Sequence, residues 1–303
     1  MKFDKPALSI AEQLDLLRVR GLAVPDLEKA AHYLKYIGYY RLSGYALPLT
    51  FKNNPTKPSH NFKPGTSFDD ILNLYMFDRE LRLLVMDAIE RIEVAFRTCF
   101  SNCMCQKAGP HWYMSPSHFV NKLAHEDLAK KIIERTGFSI ERDPLDGKGK
   151  EVFLKHYFVK YTEPKLPPAW MVVEVLPISV LSRAFENIQL REDRKRISME
   201  FELNPEVLES WMHAVSYVRN LCAHHSRLWN REFTIRPLIS KEIKPLIPDN
   251  NRFFAQAVVI NYLLKKASPQ TKWWERFCKL VSEHPFVDPS ALGAPAEWCL
   301  NPK

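Results

Sequence analysis

Glycine is scarce, with only 9 in 303 residues. Hairpin signals are correspondingly thin. No Asn-Gly occurs, and the one Asp-Gly, Asp146-Gly147, lacks flanking alternation. That argues against a sheet built from tight turns. No run of about 18 apolar residues exists, so no membrane span is expected. The opening MKFDKPALSI has no apolar core region, so it does not read as a signal peptide. Six Cys in a chain this long make no disulfide framework, which suits a reducing cytoplasm. The acid balance is also low, with 35 Asp and Glu against 43 Lys and Arg. A net charge of +8 permits an acidic partner without demanding one.

What is present points to an all-α protein. Hydrophobic residues make up 46% of the chain, ample for a buried core. Ser9-Ile10-Ala11-Glu12 is a capping-box pattern whose helix should stop at Gly21. A second helix is expected from about 26 to 37, ending at Gly38, followed by the aromatic stretch Tyr39 to Tyr45. Residues 52–66, with three Pro and three Lys, read as a loop. The longest helix opens at Ser67 and runs to about Gln106 on the stripe Ile71, Leu74, Leu81, Val85, Ala88, Ile92, Ala95, Cys99 and Cys103. Asp78/Arg82, Asp87/Arg91 and Glu93/Arg97 are i,i+4 pairs on its other faces. Helices are expected near 119–136, 150–161, 169–189 and 191–201, with Pro177 kinking or breaking the third of these. A Pro-rich irregular stretch at 236–250 precedes a helix at 251–266, and Ser268-Pro269 should start the last long one. The expected organisation is an N-terminal helical region (1–66), a core (67–235) and a C-terminal helical extension (236–303).

The chemistry concentrates at Arg219-Asn220-Leu221-Cys222-Ala223-His224-His225. Asn204-Pro205 starts this helix, Asn as cap and Pro at the first position. Leu208, Trp211, Val215, Val218 and Cys222 give it one apolar stripe. Arg is a permanent cation that grips phosphate bidentately, and His passes protons near neutral pH. Asn220 and His224, four apart, share a helix face. Arg219 and His224 are five apart and sit about 140° from each other on an ideal helix. Either the helix loosens near His224 or a second copy of the motif completes the site. From 219 to 236, four Arg stand against one Glu. Such a basic flank suits an RNA backbone and is also what an ordinary solvated face looks like.

Other constellations are weaker. Cys99 and Cys103 share the apolar stripe while Cys105 points elsewhere, which suits core thiols better than a metal site. His213 with His224 and His225 does not converge, because adjacent His residues diverge by about 100°. No metal or cofactor is expected. Tyr33, Tyr36, Tyr39, Tyr40 and Tyr45 could stack RNA bases or pack a core.

With these residues in place, the chain resembles the AbiD/AbiF-type abortive-infection family. The stretches that carry the likeness are Gly38 to Tyr45, Phe77 to Arg82 continuing through Ile89 to Glu93, Trp170 with Glu174, Arg219 to Trp229, and Leu292 to Pro295 with Trp298. The resemblance implies a HEPN-like helical bundle with additional N- and C-terminal helices that cuts RNA without a metal. Arg219 would hold the scissile phosphate, His224 would transfer a proton and Asn220 would orient one or the other. Apart from the resemblance, His225, Arg227 and Arg231 are the expected RNA contacts. The resemblance also implies a homodimer, a role in phage defence and, in some relatives, a small structured regulatory RNA. A non-catalytic RNA-binding module on the same fold is the alternative. One departure stands out. Where relatives carry Gly after the residue matching Glu174, this chain has Pro177-Ile178-Ser179.

Overall fold

A computed structural model describes every residue except 1, 3–5, 54–58, 139–150, 240–242, 297 and 300–303. Asp146-Gly147 and part of the loop expected at 52–66 lie outside the described residues. Among the described residues the chain is all α-helical, with isolated bridges but no strand. No described helix is long and apolar enough to cross a membrane. The chain divides into two compact units. One is Met1–Arg82 with Lys279–Asp288, and the other is Leu83–Cys278 with Pro289–Lys303.

The first unit holds α1 (Ile10–Val19), α2 (Leu27–Tyr36), α3 (Tyr39–Ala46) and the start of α4 (Phe68–Ala108). The Ser9/Glu12 capping box forms, with Ser9 Oγ accepting from the Glu12 N–H. Asp26 caps α2 by accepting from the Lys29 N–H at 2.8 Å. Gly38 sits at φ +92 between α2 and α3, a left-handed value that residues with a Cβ rarely adopt. That corner turns α3 so that Tyr45 is buried. Its hydroxyl donates to Asp78 Oδ2 at 2.7 Å, and Arg82 pairs with the same carboxylate. The Asp78/Arg82 pair, off the apolar stripe of α4, is therefore interior. Within this unit Tyr36 and Tyr40 are exposed, so the aromatic stretch splits between core and surface.

The second unit carries the rest of α4, then α5 (Lys122–Thr136), α6 (Val152–Lys160), α7 (Ala169–Val175), α8 (Ile178–Glu186), α9 (Arg191–Met199), α10 (Pro205–Ala223), α11 (Phe253–Ala267) and the first part of α12 (Trp273–Ser282). Pro177 breaks the expected 169–189 helix into α7 and α8, because its ring and missing N–H stop the ladder. Phe96, Phe100, Phe185 and Phe201 pack together at centroid separations of 5.9–6.3 Å. Arg97, paired with Glu93, also donates to the Val173 carbonyl and so ties α4 to α7. The central element is α10, which packs on α8, α9 and α11. The last helix begins later than Ser268-Pro269 suggests. Ser268 ends α11, and the Thr271 hydroxyl accepts from the Trp273 N–H to open α12.

Candidate active site

The predicted apolar stripe of α10 is the buried one. Leu208, Trp211, Val215, Val218 and Cys222 are all interior. Pro205 occupies the start of the helix as expected, but Asn204 makes no side-chain cap bond. Burying that stripe leaves Asn220, His224 and His225 exposed and Arg219 half-buried. Arg219 Nη1 lies 3.5 Å from Asn220 Oδ1, at the outer limit of a hydrogen bond.

The helix ends at His224. His224 is the C-cap, at φ −89 and ψ 11, and its N–H still bonds the Asn220 carbonyl at 3.0 Å. His225 follows at φ +55. The Ser226 N–H returns to the Leu221 carbonyl at 2.8 Å and the His225 N–H to the Cys222 carbonyl at 2.9 Å. That is a Schellman closure with His in the place glycine usually takes. Because the Asn220–His224 turn is closed, these two residues keep one face. Arg219 stays about 140° from His224 around the helix axis.

The chain then folds back along α10 as a strap over residues 226–238. The Tyr217 hydroxyl is hydrogen-bonded to Thr234 and to Arg231. Further along, Trp211 Nε1 donates to the Leu238 carbonyl and the Leu238 N–H to Ser210 Oγ, each at 2.8 Å. Gln256 Nε2 donates to the Ile235 carbonyl at 3.0 Å. Arg252 reaches both Asn230 and Glu232 at 3.3 Å. Gly293 lies against Arg252, and a Cβ there would meet the Arg252 Cβ at 2.4 Å. The stretch Leu292 to Pro295 thus backs the residue that holds the strap.

Electrostatically this end of α10 is open. Glu232, the one acid between 219 and 236, is engaged by Arg252. Neither Arg219 nor Arg231 has a carboxylate partner among the described residues. Burial pushes the Tyr217 hydroxyl up, yet its hydrogen bonds to Thr234 and Arg231, with the Arg231 charge, outweigh this and hold it below the ordinary phenol range. Arg231 is half-buried, and its Nη1 lies 3.4 Å from the Arg227 carbonyl.

Tyr217, Thr234 and Arg252 lie outside the motif and its expected contacts. The spacing 217, 220, 224 was a readable signal for Tyr217, since those steps share a helix face. The return of the strap had no such local signal. The thiols are as expected for a core: Cys222 and Cys103 are buried, and burial raises the Cys99 thiol to about 11. Among the described residues no group of three metal-binding side chains converges. A separate cleft of about 650 Å³ opens between α5 and α8, with Lys130, Lys131, Arg183 and Asp127 on its walls, and no motif residue lines it.

Residues 32–230 match the profile of a family described as Abi-like protein. No curated protein and no solved structure matches the chain. The matched stretch begins in α2 and ends just after the motif, so it includes the Gly38 corner, the Asp78/Arg82 pair and the whole of α10. The chain belongs to the Abi-like protein family, a family tied to abortive infection.

Proposed function

We propose that the protein is a metal-independent endoribonuclease of the HEPN type, acting as an abortive-infection effector in phage defence. The observation that carries this reading is the exposed Asn220/His224 face at the end of α10, beside an Arg219 that no carboxylate among the described residues neutralises. A fixed cation, an amide and an imidazole at one solvent-open helix end are the groups that phosphodiester transfer needs. In this scheme Arg219 holds the non-bridging oxygens of the scissile phosphate. His224 takes the proton of the ribose 2′-hydroxyl, or returns one to the departing 5′-oxygen. The 2′-oxygen bonds to phosphorus as the bond to the 5′-oxygen breaks. The products are a 2′,3′-cyclic phosphate and a 5′-hydroxyl. Asn220 orients the phosphate or the imidazole, while His225, Arg227 and Arg231 contact the flanking backbone.

The angular separation of Arg219 and His224 favours a two-fold pairing of α10 helices, in which Arg219 of one copy meets His224 of the other. An isologous homodimer achieves this with one repeated patch. The same separation also suits a second reading, an RNA-binding module that holds phosphate without cutting it. A small structured RNA would suit either as a regulatory partner.

Incubating purified protein with total RNA in EDTA, followed by analysis of the new ends, separates the two. Cyclic phosphate and 5′-hydroxyl ends support the nuclease. Tight binding with intact RNA supports the binding module. Absence of both binding and cleavage removes RNA as the partner.

A further inference from the structure

Along α10, His213, Tyr217, Asn220 and His224 recur at steps of four, three and four residues. On a helix these positions lie within about 60° of one another, so they form one line along the surface. His213, Asn220 and His224 are exposed, and Tyr217 is half-buried under the strap. At 1.5 Å per residue, Tyr217 lies roughly 10 Å from His224 along the axis. The strap brings Arg231 to that level and fixes it on the Tyr217 hydroxyl.

Arg231 is hard to explain as a packing residue. Arg231 is half-buried, and among the described residues its buried Nε has no hydrogen-bond partner and no carboxylate balances its charge. Its neighbour Glu232 is turned towards Arg252 instead. Removing a cation from water without a counter-charge costs free energy, and a neutral side chain of similar size would avoid that cost. The arrangement is that of a cation whose anion arrives from outside. Nearer the start of α10 the acids Glu206 and Glu209 are already bridged by Arg191 and Arg194. An anionic strand on this face therefore gains most over the C-terminal half of the helix.

We propose that Arg231, set in place by Tyr217, forms a second phosphate subsite about 10 Å along α10 from His224. It takes a phosphodiester on the same strand as the one held at the motif, so that the RNA lies along the exposed line of α10. This rests on the RNA reading above. It adds which way the strand runs over the surface and which hydroxyl positions the second cation.

The test is equilibrium binding of a fluorescent single-stranded RNA across a salt series. It compares wild type, Arg231→Gln, Arg231→Lys, Tyr217→Phe and the Tyr217→Phe/Arg231→Gln double variant. Arg231→Gln should weaken binding about tenfold and reduce the log–log salt slope by about one. Arg231→Lys should restore the slope, which a merely structural role would not require. Tyr217→Phe should reproduce part of the affinity loss, and the double variant should be no weaker than Arg231→Gln alone, because the hydroxyl acts through the guanidinium. An Arg231→Gln protein with wild-type affinity and slope overturns the subsite while leaving the nuclease reading intact. If wild type itself fails to bind RNA, the RNA reading falls first and the subsite with it. Should Arg231→Gln fail to fold, Tyr217→Phe carries the test, since it removes one hydroxyl only. An unchanged affinity in that variant then refutes the proposal.

Discussion

Replacing Asp78 with alanine should cost about 3–5 kcal/mol of folding stability. The magnitude follows from burial. The Asp78 side chain is 0% exposed and that of Arg82 only 7%. The carboxylate accepts from Tyr45 at 2.7 Å, and Arg82 Nη1 also reaches the Tyr45 hydroxyl at 3.3 Å. Burial first, and then the Asp78 charge, hold the Tyr45 hydroxyl well above the ordinary phenol range, so it remains a donor. Deleting the carboxylate leaves a buried guanidinium without its counter-charge. Tyr45→Phe removes one donor and should cost less, about 1–3 kcal/mol. The informative variant is Asp78→Leu/Arg82→Met, which replaces both charges with apolar groups of similar size. A buried pair removed as a pair is often neutral or stabilising, so this protein should recover most of the loss. Urea unfolding followed by circular dichroism measures all four proteins. An Asp78→Ala protein within about 1 kcal/mol of wild type would refute the reasoning, because typical surface pairs contribute no more than that. A double variant no better than Asp78→Ala would refute it too.

Three further outcomes follow from the geometry. His225→Gly should raise stability by up to about 1 kcal/mol and His225→Val should lower it by about 1–2 kcal/mol in urea, since His225 sits at φ +55 where only glycine is unstrained. Alkaline titration of tyrosine absorbance should show Tyr217 ionising below the ordinary range and Tyr45 and Tyr113 above it, with the early phase moving up in Arg231→Gln. A phenol depressed on folding contributes stability only at alkaline pH, where it is ionised, so this shift adds nothing at neutral pH. Mixing inactive Arg219→Ala with inactive His224→Ala protein should partly restore RNA cleavage if the two groups meet across a dimer seam, and a monomer by light scattering with no rescue argues for a one-chain site.

The helical elements were legible wherever periodicity and caps agreed. The stripe from Leu208 to Cys222 is the buried face of α10, and Ser9 with Glu12 caps α1 as spaced. Pro177 marked a break because its chemistry is local. What stayed hidden was non-local. Asp78 and Arg82 read as an i,i+4 pair off the apolar stripe, and their burial with Tyr45 from α3 had no local signal. The end of α10 carries neither Gly nor Pro, so the left-handed His225 had no residue signal. Ser268-Pro269 has the composition of a helix start, yet the Thr271 hydroxyl opens α12 four residues after Pro269. At the candidate site, Asn220 and His224 were readable as one face from spacing. The strap that adds Arg231 and Arg252 depends on contacts such as Ser210 to Leu238, 28 residues apart, which no local pattern encodes.

The most direct measurement is single-turnover cleavage of an end-labelled RNA in EDTA by wild type, Arg219→Ala and His224→Ala, each first shown to be folded. The account predicts cyclic-phosphate and 5′-hydroxyl ends from wild type, and a loss of about 10²–10⁴-fold when His224 is removed. Arg219→Ala should lose activity with it. Near-wild-type cleavage by His224→Ala would contradict the assignment of the proton-transfer group, and intact RNA with wild type would contradict the nuclease itself.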